Sequence, residues 1–376
     1  MPVPSPVRPR LRAVPDDPAA AEDRRDAPRR SVSSQRRPGA DRVSANGSAP
    51  LLDVRDLVVR YPVPRGLVAS FARRPKDTVH AVEGVTLSVA AGELLALVGE
   101  SGCGKTTTAH AVLRLVEPDA GSIRFGGRDI TRLSARALRP LRREMQLVYQ
   151  DPYESLDPRL RVRAAVEEPL LIHGVGASKS DRLERVRDAL EKAELSPPEL
   201  FLQRYPHELS GGQRQRVAIA AGLVLEPKLL VADEPVSMLD VSVRAGVLLL
   251  LDRLRREGLG ILMITHDLST AARFADRIAV MYLGRIVEEG ATRDVVQQPR
   301  HPYTRALLSV VPSRDPRERR EPQILRGETP DAVRIPSGCR FHPRCPIAID
   351  DCKRIDPELR SPAGAAATHR AACIRA

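Results

Sequence analysis

One stretch restricts the possible folds of this chain more than any other. Residues 99–106 read Gly-Glu-Ser-Gly-Cys-Gly-Lys-Thr, which fits the phosphate-loop pattern G-x-x-x-x-G-K-[ST], also called Walker A. The apolar run 94–98 before it predicts a buried strand, and the alanine-rich segment 107–115 predicts a helix. Backbone N–H groups in such a strand–loop–helix turn close on phosphate oxygens, and the helix dipole attracts anions. The motif therefore predicts an α/β nucleotide-binding fold, in which Lys105 bridges the β- and γ-phosphates and Thr106 ligates Mg²⁺.

Composition narrows the class of protein. The chain has 376 residues, 42% of them hydrophobic and 3% aromatic, which suits one large domain with appendages, or two domains, around an aliphatic core. The net charge of +12 fits attraction to anionic lipid or nucleic acid, and equally fits basic tails alone. No apolar run approaches the roughly 20 residues of a membrane span, and we expect no signal peptide. Without an export signal, the five cysteines indicate reduced thiols or metal ligands.

Three regions differ in sequence character. Residues 1–48 are rich in Pro, Arg, Ala and Ser without apolar periodicity, and we predict a disordered basic tail there. Residues 49–295 alternate strand and helix patterns, and the helical pattern over about 151–212 predicts a helical subdomain set into the α/β core. Over 296–376 Pro, Arg and Cys increase, which predicts a small C-terminal extension.

Two acidic residues end another buried strand. Lys228 is followed by the apolar run 229–232, which leads into Asp233 and Glu234, and acids at a strand end after a phosphate loop form the Walker B pattern. In that pattern Asp233 orders the Mg²⁺ shell and Glu234 polarises water. A further buried strand, 261–265, ends at His266. Taken alone, this histidine is better explained by capping or packing.

The predicted helical subdomain ends in a glycine turn. Residues 209–213 read Leu-Ser-Gly-Gly-Gln and precede a predicted helix over 214–225. Backbone N–H donors and a helix N-terminus here would again be able to bind an anion. Alone, this sequence indicates only a flexible turn. Gln150 ends the predicted strand 145–149, and Asp240 lies in a tight loop before another helix.

In this order and spacing, the motifs resemble the ATPase of an ABC transporter, and the resemblance covers about 51–376. The phosphate loop, the sequence His-Pro-Tyr-Thr at 301–304 and the cysteine-bearing tail are similar to oligopeptide and dipeptide importer ATPases. Residues 150–159 and 233–237 look like the F-type subunit of such importers, not its D-type partner. The resemblance implies an ABC cassette, that is, a RecA-like P-loop NTPase core with an inserted helical subdomain, plus the C-terminal extension.

The resemblance also implies partners and a location. An importer of this kind contains a second ABC ATPase subunit and two integral-membrane permease subunits, and it receives solute from an extracytoplasmic solute-binding protein. It involves no nucleic acid. The chain would then be a peripheral protein on the cytoplasmic face of the cell membrane.

Further implications concern individual positions. Two cassettes would sandwich two ATP molecules head to tail, and the Leu-Ser-Gly-Gly-Gln segment of one would face the γ-phosphate held by the other. With Glu234 as general base, the implied catalytic set is Glu234, His266, Lys105 and Gln150. The implied Mg²⁺ ligands are Thr106, Gln150 and Asp233. With Tyr61 stacked on adenine, the implied nucleotide contacts are Tyr61, Gly99, Ser101, Gly102, Cys103, Gly104, Lys105, Thr106, Thr107, Ser210, Gly211, Gly212, Gln213 and Asp240.

Four cysteines lie in a tail that is poor in apolar residues. They follow the spacing C-x₅-C-x₆-C-x₂₀-C, which differs from the paired C-x₂-C of common zinc sites. Four thiolates suit an iron–sulfur cluster or Zn²⁺. The resemblance to peptide importers implies a 4Fe–4S cluster, with zinc or unligated thiols as alternatives. The predicted ligands are Cys339, Cys345, Cys352 and Cys373.

Two other functions stay open. An importer of nickel or another small solute would have the same ATPase, because the ATPase never touches the solute. A soluble ABC ATPase acting on nucleic acid or ribosomes would suit the basic charge. Such proteins usually carry two cassettes in one chain, or a long coiled coil before the glycine turn, and this sequence shows neither pattern.

Overall fold

A computed structural model gives the arrangement of most of the chain. The predicted disordered tail over 1–48 lies outside the described residues. The structure describes residues 49–63, 77–151, 155–311, 322–325 and 327–376.

Strands and helices alternate through the described residues. The strands are β1 (Leu52–Pro62), β2 (Thr78–Val89), β3 (Leu94–Val98), β4 (Ala120–Phe125), β5 (Arg128–Asp129), β6 (Met145–Val148), β7 (Leu229–Asp233), β8 (Gly260–Thr265), β9 (Arg277–Tyr282), β10 (Arg285–Ala291) and β11 (Arg370–Ala371). The helices are α1 (Lys105–Val112), α2 (Ala135–Glu144), α3 (Val162–His173), α4 (Lys179–Lys192), α5 (Glu199–Leu202), α6 (Gly211–Leu223), α7 (Val241–Arg256), α8 (Leu268–Phe274), α9 (Thr292–Gln297) and α10 (Pro302–Ser309). Short 3₁₀ turns cover Pro206–Glu208, His342–Arg344 and Asp350–Lys353.

A seven-stranded sheet carries the predicted site. Its order is β11-β10-β9-β3-β8-β7-β6, and the five strands from β9 to β6 are parallel. Every residue of β3, β7 and β8 is buried, as expected of parallel strands covered on both faces. The carboxyl ends of β3, β7 and β8 meet at one edge of the sheet. The phosphate loop, the two acids and His266 follow these three strands and are therefore brought together.

A second, antiparallel sheet packs over one face of the first. Its order is β2-β1-β4-β5. Buried and exposed residues alternate along much of β1, the period expected of a strand with one face in the core. Its buried face shares a hydrophobic cluster with Leu95 and Leu97 of β3. This sheet thereby supports the strand that leads into the phosphate loop.

The predicted helical region is present. Helix α3 ends where Gly174 adopts φ 64°, the left-handed conformation that glycine reaches without strain. Ser178 then caps α4 by accepting a hydrogen bond from the Asp181 N–H. Buried apolar residues of α3, α4 and α6 pack into one cluster with Leu94 and Val98 of β3. The helical region therefore shares a core with the central sheet.

The C-terminal extension is joined to the cassette. Its strand β11 pairs antiparallel with β10. Tyr303 and Phe341 lie against Tyr282 of β9, with ring centroids 4.8 and 5.2 Å from the Tyr282 ring. Within the described ranges, no helix is long and apolar enough to cross a membrane.

Candidate functional site

The phosphate loop follows β3 and closes around its lysine. Lys105 Nζ donates hydrogen bonds to the carbonyl oxygens of Gly99 and Glu100, at 2.8 and 2.9 Å. Gly104 adopts φ 105°, and a Cβ there would lie 2.1 Å from the carbonyl oxygen of Ala81 in β2. A side chain at this position would push the loop off β2, which explains the need for glycine. Helix α1 begins directly at Lys105, so its N-terminal N–H groups border the loop.

The cysteine of the loop is a packing residue. Cys103 is 1% exposed, and burial raises the pKa of its thiol against the opposing charge of Lys105. Such a buried thiol stays protonated at neutral pH, and its contact with nucleotide stays a prediction. Of the other predicted loop contacts, Ser101 and Thr106 are exposed and Thr107 is half-buried.

Asp233 ends β7 with one unpaired carboxylate oxygen. Its Oδ1 is buried and has no hydrogen-bond partner among the described residues. Burial, together with the charge of Glu234, raises the pKa of Asp233, against a hydrogen bond from Thr106 and the charge of Lys105. A buried oxygen of this kind is usually satisfied, and a divalent cation would both satisfy it and favour the ionised carboxylate. Asp233 and Thr106 therefore fit a Mg²⁺ ion.

Glu234 lies between two predicted catalytic side chains. Gln150 Nε2 donates to its Oε2 at 3.3 Å, and His266 Nδ1 lies 3.0 Å from its Oε1. These three residues come from the ends of β6, β7 and β8. The backbone of Glu234 adopts φ 43°, an uncommon conformation for a residue other than glycine. Its N–H donates to the carbonyl oxygen of Ile264 at 2.9 Å. The sheet thus fixes a carboxylate beside Asp233 and aims it away from the strand.

The glycine turn folds onto itself at the start of α6. The Ser210 hydroxyl accepts from the Gln213 N–H at 3.3 Å, and the Gln213 side chain accepts from the Ser210 N–H at 3.0 Å, a capping box. Gly212 packs so closely on α7 that a Cβ would lie 2.2 Å from Val243 Cγ1. In the described part of the chain, no hydrogen bond joins Ser210, Gly211, Gly212 or Gln213 to the phosphate loop.

The loop before α7 and the first residue of that helix present apolar side chains to solvent. Met238 is 65% exposed and Val241 is 81% exposed. Asp240 is also exposed and makes no side-chain cap of α7. Arg244 holds this loop by donating to the carbonyl oxygen of Leu239 at 2.7 Å. Sequence reasoning missed Arg244, because an arginine at the start of a helix carries no distinctive pattern.

Tyr61 lies near the end of β1, opposite Val79 of β2. It is 38% exposed, so its ring is accessible. Its stacking on adenine stays a prediction.

The four tail cysteines line one narrow cavity, together with His301 and Phe341. The cavity volume is about 10 Å³, which is room for roughly one water molecule. Burial and the neighbouring thiols raise the pKa of Cys339 to about 11. Among the described residues, no group of three or more His, Cys, Asp or Glu side chains is placed to hold a metal ion. The predicted ligands thus share a cavity, but the structure does not support a 4Fe–4S cluster in their present arrangement.

A contact between the phosphate loop and the C-terminal extension was not predicted from the sequence. The Glu100 carboxylate accepts from Arg344 Nη1 at 2.8 Å and from Thr329 Oγ1 at 2.6 Å. Its N–H donates to the Tyr303 hydroxyl at 2.9 Å. Glu100 and Arg344 are 244 residues apart, so no local pattern could reveal their pairing.

Comparison with known proteins places this geometry in a family. The ABC transporter family model matches residues 82–237, and the model of the oligopeptide/dipeptide transporter C-terminal region matches 287–352. The chain is 49% identical to a putative peptide import ATP-binding protein of Brucella ovis, over 87% of this chain and 98% of that protein. The chain belongs to the oligopeptide/dipeptide family of ABC transporter ATP-binding proteins. It is therefore an ABC-type ATPase.

Other members of this ABC family and solved cassettes agree with the assignment. The oligopeptide transport ATP-binding protein AppF of Bacillus subtilis is 44% identical, over 88% of this chain and 99% of AppF. The corresponding protein OppF of Salmonella typhimurium is 42% identical, over 86% of this chain and 96% of OppF. A dimeric ATP-binding cassette, MJ0796, solved with ADP and phosphate, has a TM-score of 0.56 at 30% identity, covering 64% of this chain and 99% of the cassette. The predicted ABC-cassette fold is confirmed.

Proposed function

We propose that this ABC ATPase drives import of oligopeptides or dipeptides across the cytoplasmic membrane. The named roles of the relatives from Brucella ovis, Bacillus subtilis and Salmonella typhimurium support peptides as the cargo. Two of those relatives carry F names, which supports the F-type position beside a second ATPase subunit. The chain would lie on the cytoplasmic face of the membrane, against two permease subunits. A solute-binding protein would deliver the peptide to these permease subunits.

The placement of Glu234 supports the catalytic assignment. Its two carboxylate oxygens contact Gln150 and His266, next to Asp233. Glu234 would take a proton from the attacking water, with His266 orienting the water and the γ-phosphate. Lys105 would neutralise phosphate charge, and Thr106 and Asp233 would hold Mg²⁺. Phosphoryl transfer depends mainly on positioning and charge neutralisation, which is what this set of side chains offers.

A second cassette would complete the site. In the capping box Ser210 and Gln213 bond to each other. This would leave the N–H groups of Gly211 and Gly212, the first two residues of α6, for a phosphate on another molecule. Gly211 and Gly212 approach Leu239 and Val243, and the exposed Met238 and Val241 of the same segment would be covered by the partner. Gln150 would transmit nucleotide binding to the helical region, which would contact the permease.

The tail cysteines form a second part of the proposal. The four thiols would hold either a 4Fe–4S cluster, as the family resemblance implies, or Zn²⁺, which needs less widening of the small cavity. Either group would cross-link the extension, and transport requires no redox step of it. Anaerobic purification should give a coloured protein with iron and sulfide in equal amounts. A colourless protein with one zinc per chain would support Zn²⁺, and a metal-free folded protein would reject both.

Reconstitution of the complete transporter tests the proposed transport. A tagged chain is purified from its native membrane with its permease, and the complex is placed in vesicles. We expect ATP-dependent uptake of labelled peptides, and its loss in a complex carrying Glu234→Gln. Uptake of labelled Ni²⁺ but not of labelled peptide would show that the cargo is nickel instead of peptide. Co-purification of nucleic acid or ribosomes without a permease would refute transport.

A further inference from the structure

Glu100 in the phosphate loop is held by three separate segments of the C-terminal extension. Arg344 contacts both carboxylate oxygens, Nη1 with Oε2 at 2.8 Å and Nη2 with Oε1 at 3.3 Å. Thr329 donates its hydroxyl to Oε2 at 2.6 Å, and Tyr303 accepts the Glu100 backbone N–H at 2.9 Å. The extension therefore grips both the side chain and the backbone of this loop residue.

The pair between Glu100 and Arg344 is well shielded from solvent. The side chain of Arg344 is 9% exposed and that of Glu100 is 28% exposed. Burial raises the pKa of Glu100, but the hydrogen bonds and charge of Arg344 and the hydroxyl of Thr329 outweigh it and leave the pKa lowered. The carboxylate is thus ionised at neutral pH. Bidentate arginine–carboxylate pairs fix geometry as well as charge.

The contacts of Glu100 with the extension affect the position of the groups that bind phosphate. Lys105 Nζ donates to the carbonyl oxygens of Gly99 and Glu100. The Cys103 N–H also faces the Glu100 carbonyl oxygen, at 3.4 Å. A displacement of Glu100 would therefore move the lysine and the loop N–H groups that surround the phosphates.

We infer that Arg344 is a positioning residue for ATP binding, acting through Glu100. The inference rests on the proposed ATPase function and adds a requirement: the loop is held in its phosphate-binding shape by the extension as well as by its own glycines. Preorganisation of this kind supports substrate and transition state alike, so its loss acts mainly on KM. Arg344 lies in the same turn as Cys345, so its contact with Glu100 comes from the cysteine-bearing part of the extension.

Nucleotide affinity of the full chain tests this inference. Binding of a fluorescent ATP analogue is measured for the wild type, Arg344→Gln, Glu100→Gln and the double variant. We expect each single change to weaken binding about ten-fold, and the double change to add little, because both remove one interaction. In the assembled transporter, KM for ATP should rise about as much, while kcat falls less than about three-fold. Arg344→Lys keeps the positive charge but loses the bidentate guanidinium, so it should bind the analogue better than Arg344→Gln and less well than the wild type.

A matched control separates positioning from damage to the extension. Arg370→Gln breaks another arginine–glutamate contact between the extension and the cassette, with Glu289, away from the loop. It should lower the melting temperature without changing nucleotide affinity. Equal weakening of binding by Arg370→Gln, or wild-type affinity in Arg344→Gln, would overturn the inference. If Arg344→Gln does not fold, Thr329→Val removes only one hydroxyl bond and should weaken binding about two- to three-fold; unchanged affinity would again contradict it. A wild-type chain that binds no nucleotide would instead refute the proposed function itself.

Discussion

Replacing Glu288 with glutamine should destabilise the protein strongly. Glu288 lies in β10 with no exposed surface. Its Oε1 accepts from the Arg300 N–H at 2.7 Å and lies 2.8 Å from His369 Nε2, and its Oε2 accepts from the His301 N–H at 2.9 Å. All three partners belong to the extension, so this carboxylate ties the extension to the sheet.

The magnitude follows from the number of donors. Glutamine offers one oxygen, and its NH₂ group must face an N–H donor in either orientation. A hydrogen bond to a charged group contributes about 1.5–3 kcal/mol, and a buried donor left without a partner costs about 1–3 kcal/mol. We expect Glu288→Gln to lower the free energy of unfolding by about 3 kcal/mol. With an unfolding entropy of about 2.1 cal/mol/K per residue, 1 kcal/mol corresponds to about 1.5 °C in a chain of this length, so the melting temperature would fall by roughly 4–5 °C.

Thermal unfolding followed by circular dichroism measures this effect, with Glu289→Gln as the matched control. Glu289 is the next residue, and Arg370 Nε donates to its Oε1 at 2.7 Å. The side chain of Glu289 is 3% exposed and that of Arg370 is 39% exposed. Glutamine keeps one oxygen that can accept from Arg370, so the control should cost about 1–1.5 kcal/mol, less than Glu288→Gln. Equal melting temperatures for the two variants would refute the reasoning, because they would mean that the three donors do not require a carboxylate.

Three further predictions concern catalysis, assembly and pH. Glu234→Gln should keep ATP binding but lose nearly all phosphate release, and a variant with substantial turnover would remove Glu234 from the role of base. The isolated subunit should hydrolyse ATP weakly and gain activity in the complex; equal specific activity at high dilution would contradict the two-cassette site. Burial lowers the pKa of His301 from 6.5 to about 3, so below pH 6.5 the unfolded chain binds a proton that the folded chain does not. Stability is therefore lost as pH falls, by about 2 kcal/mol at pH 5. His301→Asn, which can still accept the Tyr303 N–H, should have a flatter urea-denaturation profile between pH 7 and 5, and an unchanged profile would contradict the buried neutral imidazole.

The sequence predicted which side chains lie together at the edge of the sheet because its motifs follow strand ends. Once β7 and β8 were recognised as buried strands, their carboxyl ends had to lie beside the phosphate loop, which brings Glu234 and His266 together. Helix α1 was placed slightly late, over 107–115, because the lysine of the loop is already its first helical residue.

Other features could not be read from one sequence. The contact of Glu100 with Arg344 joins distant segments and depends on how the extension folds back. The cysteine spacing identified possible ligands but not the distances between their sulfur atoms, which backbone turns determine.

The short strand β11 also protects the sheet from other molecules. Its pairing of Arg370 and Ala371 with Glu289 and Glu288 covers the middle of β10, which would otherwise be the outer strand of the sheet. An uncovered outer strand offers free N–H and C=O groups to any similar strand nearby. Chains truncated before β11 should therefore self-associate in a concentration-dependent way through strand addition. Their loss of ATPase activity would then report aggregation instead of a defect in the nucleotide site, and light scattering should accompany every activity assay of such truncations.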